Sequence, residues 1–321
     1  VRHLVLIDGN HLMHRAFWAV PRTLTGPDGR PVNVVFGVGS MLVSILKQEQ
    51  PDGLVWCADA GSQTFRHQEH VTYKEGRAET PQEFYDQQAL VLQLLQTLGV
   101  PVVSDPAYEA DDLLCSYARQ AEAVGTERIT VVTGDRDAYQ LASEHIRIAI
   151  PHKGYQAAEY LGPAEVLAQL GVTPAQVPAF KGLAGDSSDN LPGVKGIGPK
   201  TAAELLQQFG SLEGVYEHLA DIRSGVREKL EVDREQAFFC QRMAVLIGDI
   251  PLPCSLEEVR LTPRPLAPLA DLCSALRFQM LLRRIEGLTQ TDYGRHLFPD
   301  AALLQSSATP VAVASSQLSL F

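Results

Sequence analysis

Four short apolar runs in the first half of this chain each lead into carboxylates. His3 to Ile7 stops at Asp8-Gly9-Asn10, and Gly53 to Ala58 stops at Asp59. Val100 to Val103 leads, a few residues on, into Tyr108-Glu109-Ala110-Asp111-Asp112, and Ile129 to Thr133 stops at Gly134-Asp135-Arg136-Asp137. Short apolar runs closed by turn residues read as buried strands. The segments between them read as helices. Val34 to Leu46 has helical periodicity. Thr80 can cap a second helix, with Pro81 at its first position and Gly99 after Leu98. Strands alternating with helices from Asp8 to about Ile150 predict an α/β fold with a mostly parallel central sheet and helices on both faces. Ligands of such sheets bind beyond the carboxyl ends of the strands. Parallel topology therefore brings Asp8, Asp59, the Glu109 group, Asp135 and Asp137 to one edge.

One acid at a strand end or in a first helical turn is ordinary, because a helix N-terminus favours negative charge. A cluster is different. Like charges about 4 Å apart repel by roughly 4 kcal/mol at an effective dielectric near 20. Acids converging from several strands make a polyvalent metal centre the expected use of the edge. Asp186 and Asp189, in Gly185-Asp186-Ser187-Ser188-Asp189-Asn190, extend the cluster from the second half of the chain.

The formal net charge of −11 gives no global basic footprint of the kind that marks many nucleic-acid binders, but local cations can still contact phosphate. The five cysteines are scattered and form no CxxC pair, which argues against a zinc ribbon or a disulfide framework and fits a reducing cytoplasm. Neither a signal peptide nor a membrane-spanning run is legible, and the first residue is Val rather than Met, so the start reads as either trimmed or non-standard.

Two segments carry cations. Phe65-Arg66-His67 and Tyr73-Lys74-Glu75-Gly76-Arg77 combine basic and aromatic residues, either as a solvated loop or aimed at a phosphate backbone and an unstacked base. Beyond Tyr160 the chain reads as helical. There Gly193-Val194-Lys195-Gly196-Ile197-Gly198-Pro199-Lys200 leads into a helix from Thr201 to Phe209. Glycines let a backbone approach a ligand, and a helix start offers free amides to phosphate. With Lys195 and Lys200 beside it, this is a helix-hairpin-helix signal for DNA-backbone contact without base readout. Arg283-Arg284 reads as a solvated helix face. Residues 306–316 read as a flexible tail, ending in Gln317-Leu318-Ser319-Leu320-Phe321, whose apolar anchors point to a partner surface.

Taken in order, these motifs resemble the bacterial 5′-nucleases, the flap endonuclease family that includes the 5′-3′ exonuclease domain of DNA polymerase I. The resemblance covers roughly residues 1 to 288. It implies a PIN-like nuclease core at 1–160 with an arch at about 62–98. A helical DNA-binding region would follow at 161–288, with the hairpin at about 185–210, and then a tail at 289–321. It implies two divalent ions, Mg²⁺ or Mn²⁺. Asp8, Asp59, Glu109 and Asp111 would surround the first, and Asp111, Asp135, Asp137 and Asp186 the second. Asp112 and Asp189 would act directly or through water. Lys74 and Arg77 would be catalytic and Arg66 and Tyr73 DNA-binding, with Tyr73 stacking on a base. Lys195, Gly196, Ile197, Gly198 and Lys200 would grip duplex, with K⁺ on the carbonyls of Val194 and Ile197. The tail peptide Gln317, Leu318, Ser319, Leu320 and Phe321 looks like a bacterial sliding-clamp binding motif. The implied protein is a stand-alone, monomeric, cytoplasmic and nucleoid-associated 5′-3′ exonuclease and flap endonuclease. It would act on DNA flaps or 5′ ends, RNA-primed ones among them, in replication and repair, and would leave 5′-phosphate and 3′-hydroxyl. The rival readings are a catalytically weak flap- or junction-binding module and a PIN-like ribonuclease. The intact acids argue against the first, and the hairpin and the Tyr73-Lys74-Arg77 segment against the second.

Overall fold

The structure is a computed structural model that describes residues 1–61, 64–75 and 79–301. Its centre is a six-stranded sheet in the order β3-β2-β1-β4-β5-β6. The strands are β1 (His3–Asp8), β2 (Gly53–Cys57), β3 (Val102–Val103), β4 (Arg128–Val132), β5 (Ile146–His152) and β6 (Gly154–Leu161). The first five are parallel to their neighbours, and β6 returns antiparallel against β5. The mostly parallel sheet of the sequence reading is therefore present.

Side chains on a strand alternate between faces, and β1 shows the consequence. Leu4 and Leu6 belong to one apolar cluster, Val5 and Ile7 to another. The second face is covered by α1 (Gly9–Ala19), α2 (Asn33–Glu49), α3 (Phe65–Glu69) excepted, and then by α4 (Gln82–Tyr85) and α5 (Gln88–Thr97). The first face is covered by α6 (Ala110–Ala123), whose Leu113, Leu114, Tyr117 and Ala118 are all fully buried. Each large apolar side chain so buried contributes about 1.5–3 kcal/mol.

The polypeptide after β6 continues as α7 (Pro163–Leu170), α8 (Val177–Ala184), α9 (Pro199–Phe209), α10 (Leu212–Glu217), α11 (Ser224–Val232) and α12 (Arg234–Ala244). Residues of these helices share the apolar cluster of α6. The last helices, α13 (Ala267–Ala275), α14 (Gln279–Thr289) and α15 (Asp292–Leu297), instead return to the face of α2.

Three boundaries differ from the sequence reading. The helix expected from Thr80 to Leu98 is two helices. Gln87, between them, is buried and bonds Val34 N–H, Asn33 Oδ1 and Glu83 O at 2.8, 3.0 and 2.9 Å. Because α5 then packs Val91, Leu94 and Leu95 into the core, the arch expected at 62–98 cannot extend through it. Finally, residues 289–301, expected in a tail, include α15 and bury Leu297 and Phe298 in the apolar cluster on the face of α2. No helix among the described residues is long and apolar enough to cross a membrane, and all five cysteines are free.

Candidate metal centre and nucleic-acid interface

Register brings the strand-end acids together. Asp8 lies level with Cys57 of β2, and Ile7 with Val132 of β4, so Asp59 and Asp135 emerge just beyond Asp8 on either side. Thr133 ties them. Its hydroxyl donates to Asp8 Oδ2 at 2.7 Å and accepts from Asp135 N–H at 3.0 Å. Asp8 Oδ1 also caps α1 by accepting from His11 N–H at 2.9 Å. Asp59 accepts from Ala110 N–H at 2.8 Å and from the Asn10 amide. Asp135 caps the 3₁₀ turn Arg136–Leu141 through Asp137 N–H.

The carboxylates of this group raise one another's pKa. Burial, with Asp135 and Asp59 adding to it, pushes Asp8 up to about 6. Burial and the neighbouring Asp135 and Asp8 raise Asp111 well above the ordinary carboxylate range. Asp111 Oδ1 is buried with no hydrogen-bond partner. A buried orphan acceptor among other carboxylates is what a hard divalent cation satisfies, so these residues fit one.

A second group of acids lies alongside. One carboxylate oxygen from each of Asp137, Asp186 and Asp189 falls within 4.8 Å of the others, which puts them in reach of a single ion. This grouping differs from the expected one, which joined Asp186 to Asp111 and Asp135. Asp137 stays tied to Asp135 through its own N–H at 2.9 Å, so the two groups of acids adjoin. In the structure Lys181 stands among these acids, bonded to Asp137 and to Asp186 Oδ2. Burial works against the charge of Asp186, but Lys181 and the Ser188 donors hold its carboxyl below the usual range. Burial raises Asp189.

Glu109 bridges this centre to the basic segment. Its Oε1 receives Lys74 Nζ at 2.8 Å, and its Oε2 receives Tyr73 OH and Arg66 Nη1, each at 3.2 Å. Burial opposes the charge of Lys74, yet Glu109, Asp189 and Asp111 raise its pKa overall. Arg77 lies outside the described residues, as do Gln317, Leu318, Ser319, Leu320 and Phe321.

Three expected roles are corrected. Asp112 is 0% exposed and binds the guanidinium of Arg66 at 2.6 and 2.8 Å. It also accepts from Glu109 N–H and Ile247 N–H, so its oxygens are spent and it is not a metal ligand. Arg66, expected to contact DNA, is 1% exposed and spends its remaining donors on the Met243 and Val245 carbonyls. Tyr73, expected to stack on a base, is 4% exposed, with its phenol turned toward Glu109 and Asp189.

Asp135 and Asp186 line a cleft of about 920 Å³. His11, Asp135, Arg136, Lys181, Asp186 and Pro199 all line it, so two of the acids and the first residue of α9 share one cleft. The hairpin between α8 and α9 is a close backbone crossing. Gly185 and Gly193 both have positive φ, 76° and 62°, and a Cβ on Gly193 would stand 2.2 Å from Gly185 N. Val194 and Ile197 are buried, with Ile197 N–H donating to the Val194 carbonyl at 3.0 Å. Gly198 caps α9 without a side-chain bond, leaving first-turn amides for another acceptor. Sequence reasoning missed Thr133, Lys181 and Asn10. Thr133 stood beside an acid motif, but nothing local marked Lys181.

The N-terminal resolvase-like domain of the 5′-3′ exonuclease family matches residues 3–171, and the C-terminal SAM fold of the same family matches residues 172–266. DNA polymerase I of Bacillus caldotenax is 39% identical over 89% of this chain, which spans 32% of that relative's length. Among solved structures, T5 5′-exonuclease with bound zinc superposes with a TM-score of 0.65 at 17% identity, covering 94% of this chain and 100% of the other. A bacteriophage T5 flap endonuclease in a pseudo-enzyme–product complex with DNA and metal ions gives 0.64 at 17% identity, again over 94% and 100%.

Proposed function

This chain belongs to the 5′-3′ exonuclease family, and from that premise we propose that it is a structure-specific 5′-nuclease acting on DNA. The substrates are 5′ flaps and 5′ ends, including RNA-primed ones. The products are a 5′-phosphate and a 3′-hydroxyl. The observation that carries this reading is the cleft itself, which Asp135 and Asp186 line together with Pro199, the first residue of α9.

Asp8, Asp59, Asp111 and Asp135 would hold one divalent ion and Asp137, Asp186 and Asp189 a second, with Glu109 between them. When bound, two such ions activate water and stabilise the leaving oxygen of an in-line displacement. The chain's own groups do the rest. Lys74, held by Glu109, offers a cation to the charge that develops on the scissile phosphate, and Arg77 is proposed for the same task. Tyr73 and Arg66 fix Glu109 so that it presents one geometry. Lys195 and Lys200, with the free amides around Gly196, Ile197 and Gly198, grip the duplex backbone. K⁺ on the Val194 and Ile197 carbonyls would add to that grip, and either Mg²⁺ or Mn²⁺ serves the acids.

The proposal extends to a monomer working in DNA replication and repair, cytoplasmic and nucleoid-associated in a bacterium. It also takes Gln317 to Phe321 as an anchor for the sliding clamp. The test of that anchor is binding of a peptide spanning Ala312 to Phe321 to the cognate clamp, and absence of binding at high micromolar peptide removes it. The test of the nuclease is single-turnover cleavage of a 5′-labelled flap duplex against a blunt duplex, with Mg²⁺, Mn²⁺ or EDTA. Metal-dependent cutting near the flap junction is expected. Tight flap binding without cutting under either metal would move the chain to the binding-module reading.

A further inference from the structure

The hairpin between α8 and α9 is held from outside its own motif. Lys229, in the last turn of α11, donates from Nζ to the Gly196 carbonyl at 3.1 Å. Asp233, four residues on, accepts Lys195 N–H on Oδ2 at 2.8 Å. One contact delivers a cation to the hairpin's apex, and the other fixes the backbone beside it. Gly196 has a φ of 78°, and a Cβ there would stand 3.0 Å from Lys229 Nζ, so the ammonium lies directly against the bare apex.

A lysine in the last turn of a helix already gains about 0.3–1 kcal/mol from the macrodipole. That explains a lysine at this position but not its reach to a carbonyl 33 residues away. An ammonium carries three donors. Lys229 spends one on Gly196, is exposed, and makes no ion pair with a carboxylate among the described residues. Its remaining donors stand beside the segment that leads to the uncapped start of α9, where nothing lies within 4 Å of the space a Gly198 side chain would fill. Lys195 and Lys200 flank the same segment.

We propose that Lys229 is a third phosphate-binding cation of this hairpin, recruited from outside the Gly-x-Gly motif. Its ammonium steadies the apex through the Gly196 carbonyl and offers its other donors to the phosphodiester backbone of duplex DNA. This inference rests on the reading of the hairpin as a duplex anchor given above. Such a contact carries no base identity, so it strengthens binding equally across sequences.

The experiment is equilibrium binding of the full chain to a flap duplex in EDTA, as a function of salt concentration. Each lysine–phosphate contact adds about 0.9 to the slope of log affinity against log salt. Lys229→Met is expected to weaken binding at low salt and to reduce that slope by about 0.9 with the melting temperature unchanged. Lys229→Arg is expected to restore both. Asp233→Asn keeps an acceptor for Lys195 N–H and is expected to leave the slope unchanged. If Lys229→Met keeps the parental slope while Lys200→Met lowers it, Lys229 is only a brace and the inference is overturned. If Lys195→Met and Lys200→Met also leave slope and affinity unchanged, the hairpin does not contact DNA, and both this inference and the anchor reading fall.

Discussion

Lys74 and Glu109 are joined at 2.8 Å, and Lys74 makes that contact from a left-handed backbone with φ of 57°. A non-glycine residue there carries backbone strain on the order of 1–3 kcal/mol, which the surroundings must offset. Part of that support is a backbone tie, Lys74 N–H donating to the Asp189 carbonyl at 3.3 Å. The segment is thus wound to deliver an ammonium to the acid centre. Lys74→Ala is expected to slow single-turnover flap cleavage by about two to three orders of magnitude, with the fold intact by circular dichroism. A near-normal rate would remove Lys74 from catalysis.

Arg66 and Asp112 form a buried bidentate pair. Removing one partner of such a pair costs about 3–5 kcal/mol because the other charge is left uncompensated. Arg66→Ala should therefore lower the urea midpoint sharply, and Arg66→Lys should not restore it, since an ammonium cannot reproduce the planar fork. Full stability with weakened DNA binding would return Arg66 to the interface.

Asp8 makes apo-protein stability depend on pH in a definite direction. Its folded pKa is raised to about 6 from an ordinary 3.8, so the folded state binds the proton more tightly than the unfolded chain. The stability that this provides is fully present below pH 3.8 and is lost as pH rises through about 6. Asp8→Asn removes the penalty, and in EDTA it should melt above the parent at pH 7.5. The gap should close as pH falls through the same window. Saturating Mg²⁺ should raise the parent's melting temperature more than the variant's. A gap independent of pH would contradict the assignment.

Lys181 bonds Asp137 and Asp186, two members of the Asp137, Asp186 and Asp189 triad. An ion entering that triad must displace the ammonium. Lys181→Met is expected to tighten Mn²⁺ binding at the weaker site by about tenfold, equivalent to roughly 1.4 kcal/mol, measured by titration calorimetry without DNA. Unchanged affinity would mean that the ammonium does not compete.

Far from the acids, Glu49 is 2% exposed and collects Arg147, Tyr155, Tyr160 and Thr130. Burial opposes its charge, but the Tyr160 hydroxyl and Arg147 hold its carboxyl below the usual range. It pins the end of α2 to β4, β5 and β6. Glu49→Ala should cost several kcal/mol of stability through the donors left unpaired, while divalent-ion affinity of the folded protein stays the same. A loss of metal affinity without a loss of stability would contradict this separation.

The convergence of Asp8, Asp59, Glu109 and Asp135 was legible in the sequence because it follows from local rules. Short apolar runs make strands, alternation with helices makes them parallel, and parallel strands share one carboxyl edge. The hairpin was legible for the same reason, since its glycines and helix start are contiguous in the chain. The fate of individual side chains was not. Asp111 and Asp112 are adjacent, and successive residues on a helix point about 100° apart, given 3.6 residues per turn. One therefore faces Asp8 and Asp135 with an unsatisfied oxygen, and the other enters the core to meet Arg66. No pattern in one sequence says which, because the choice depends on where Arg66 and the Met243 and Val245 carbonyls arrive from elsewhere in the fold. The same holds for Lys181 among the acids and Lys229 on Gly196, which only the packing of distant helices brings into contact.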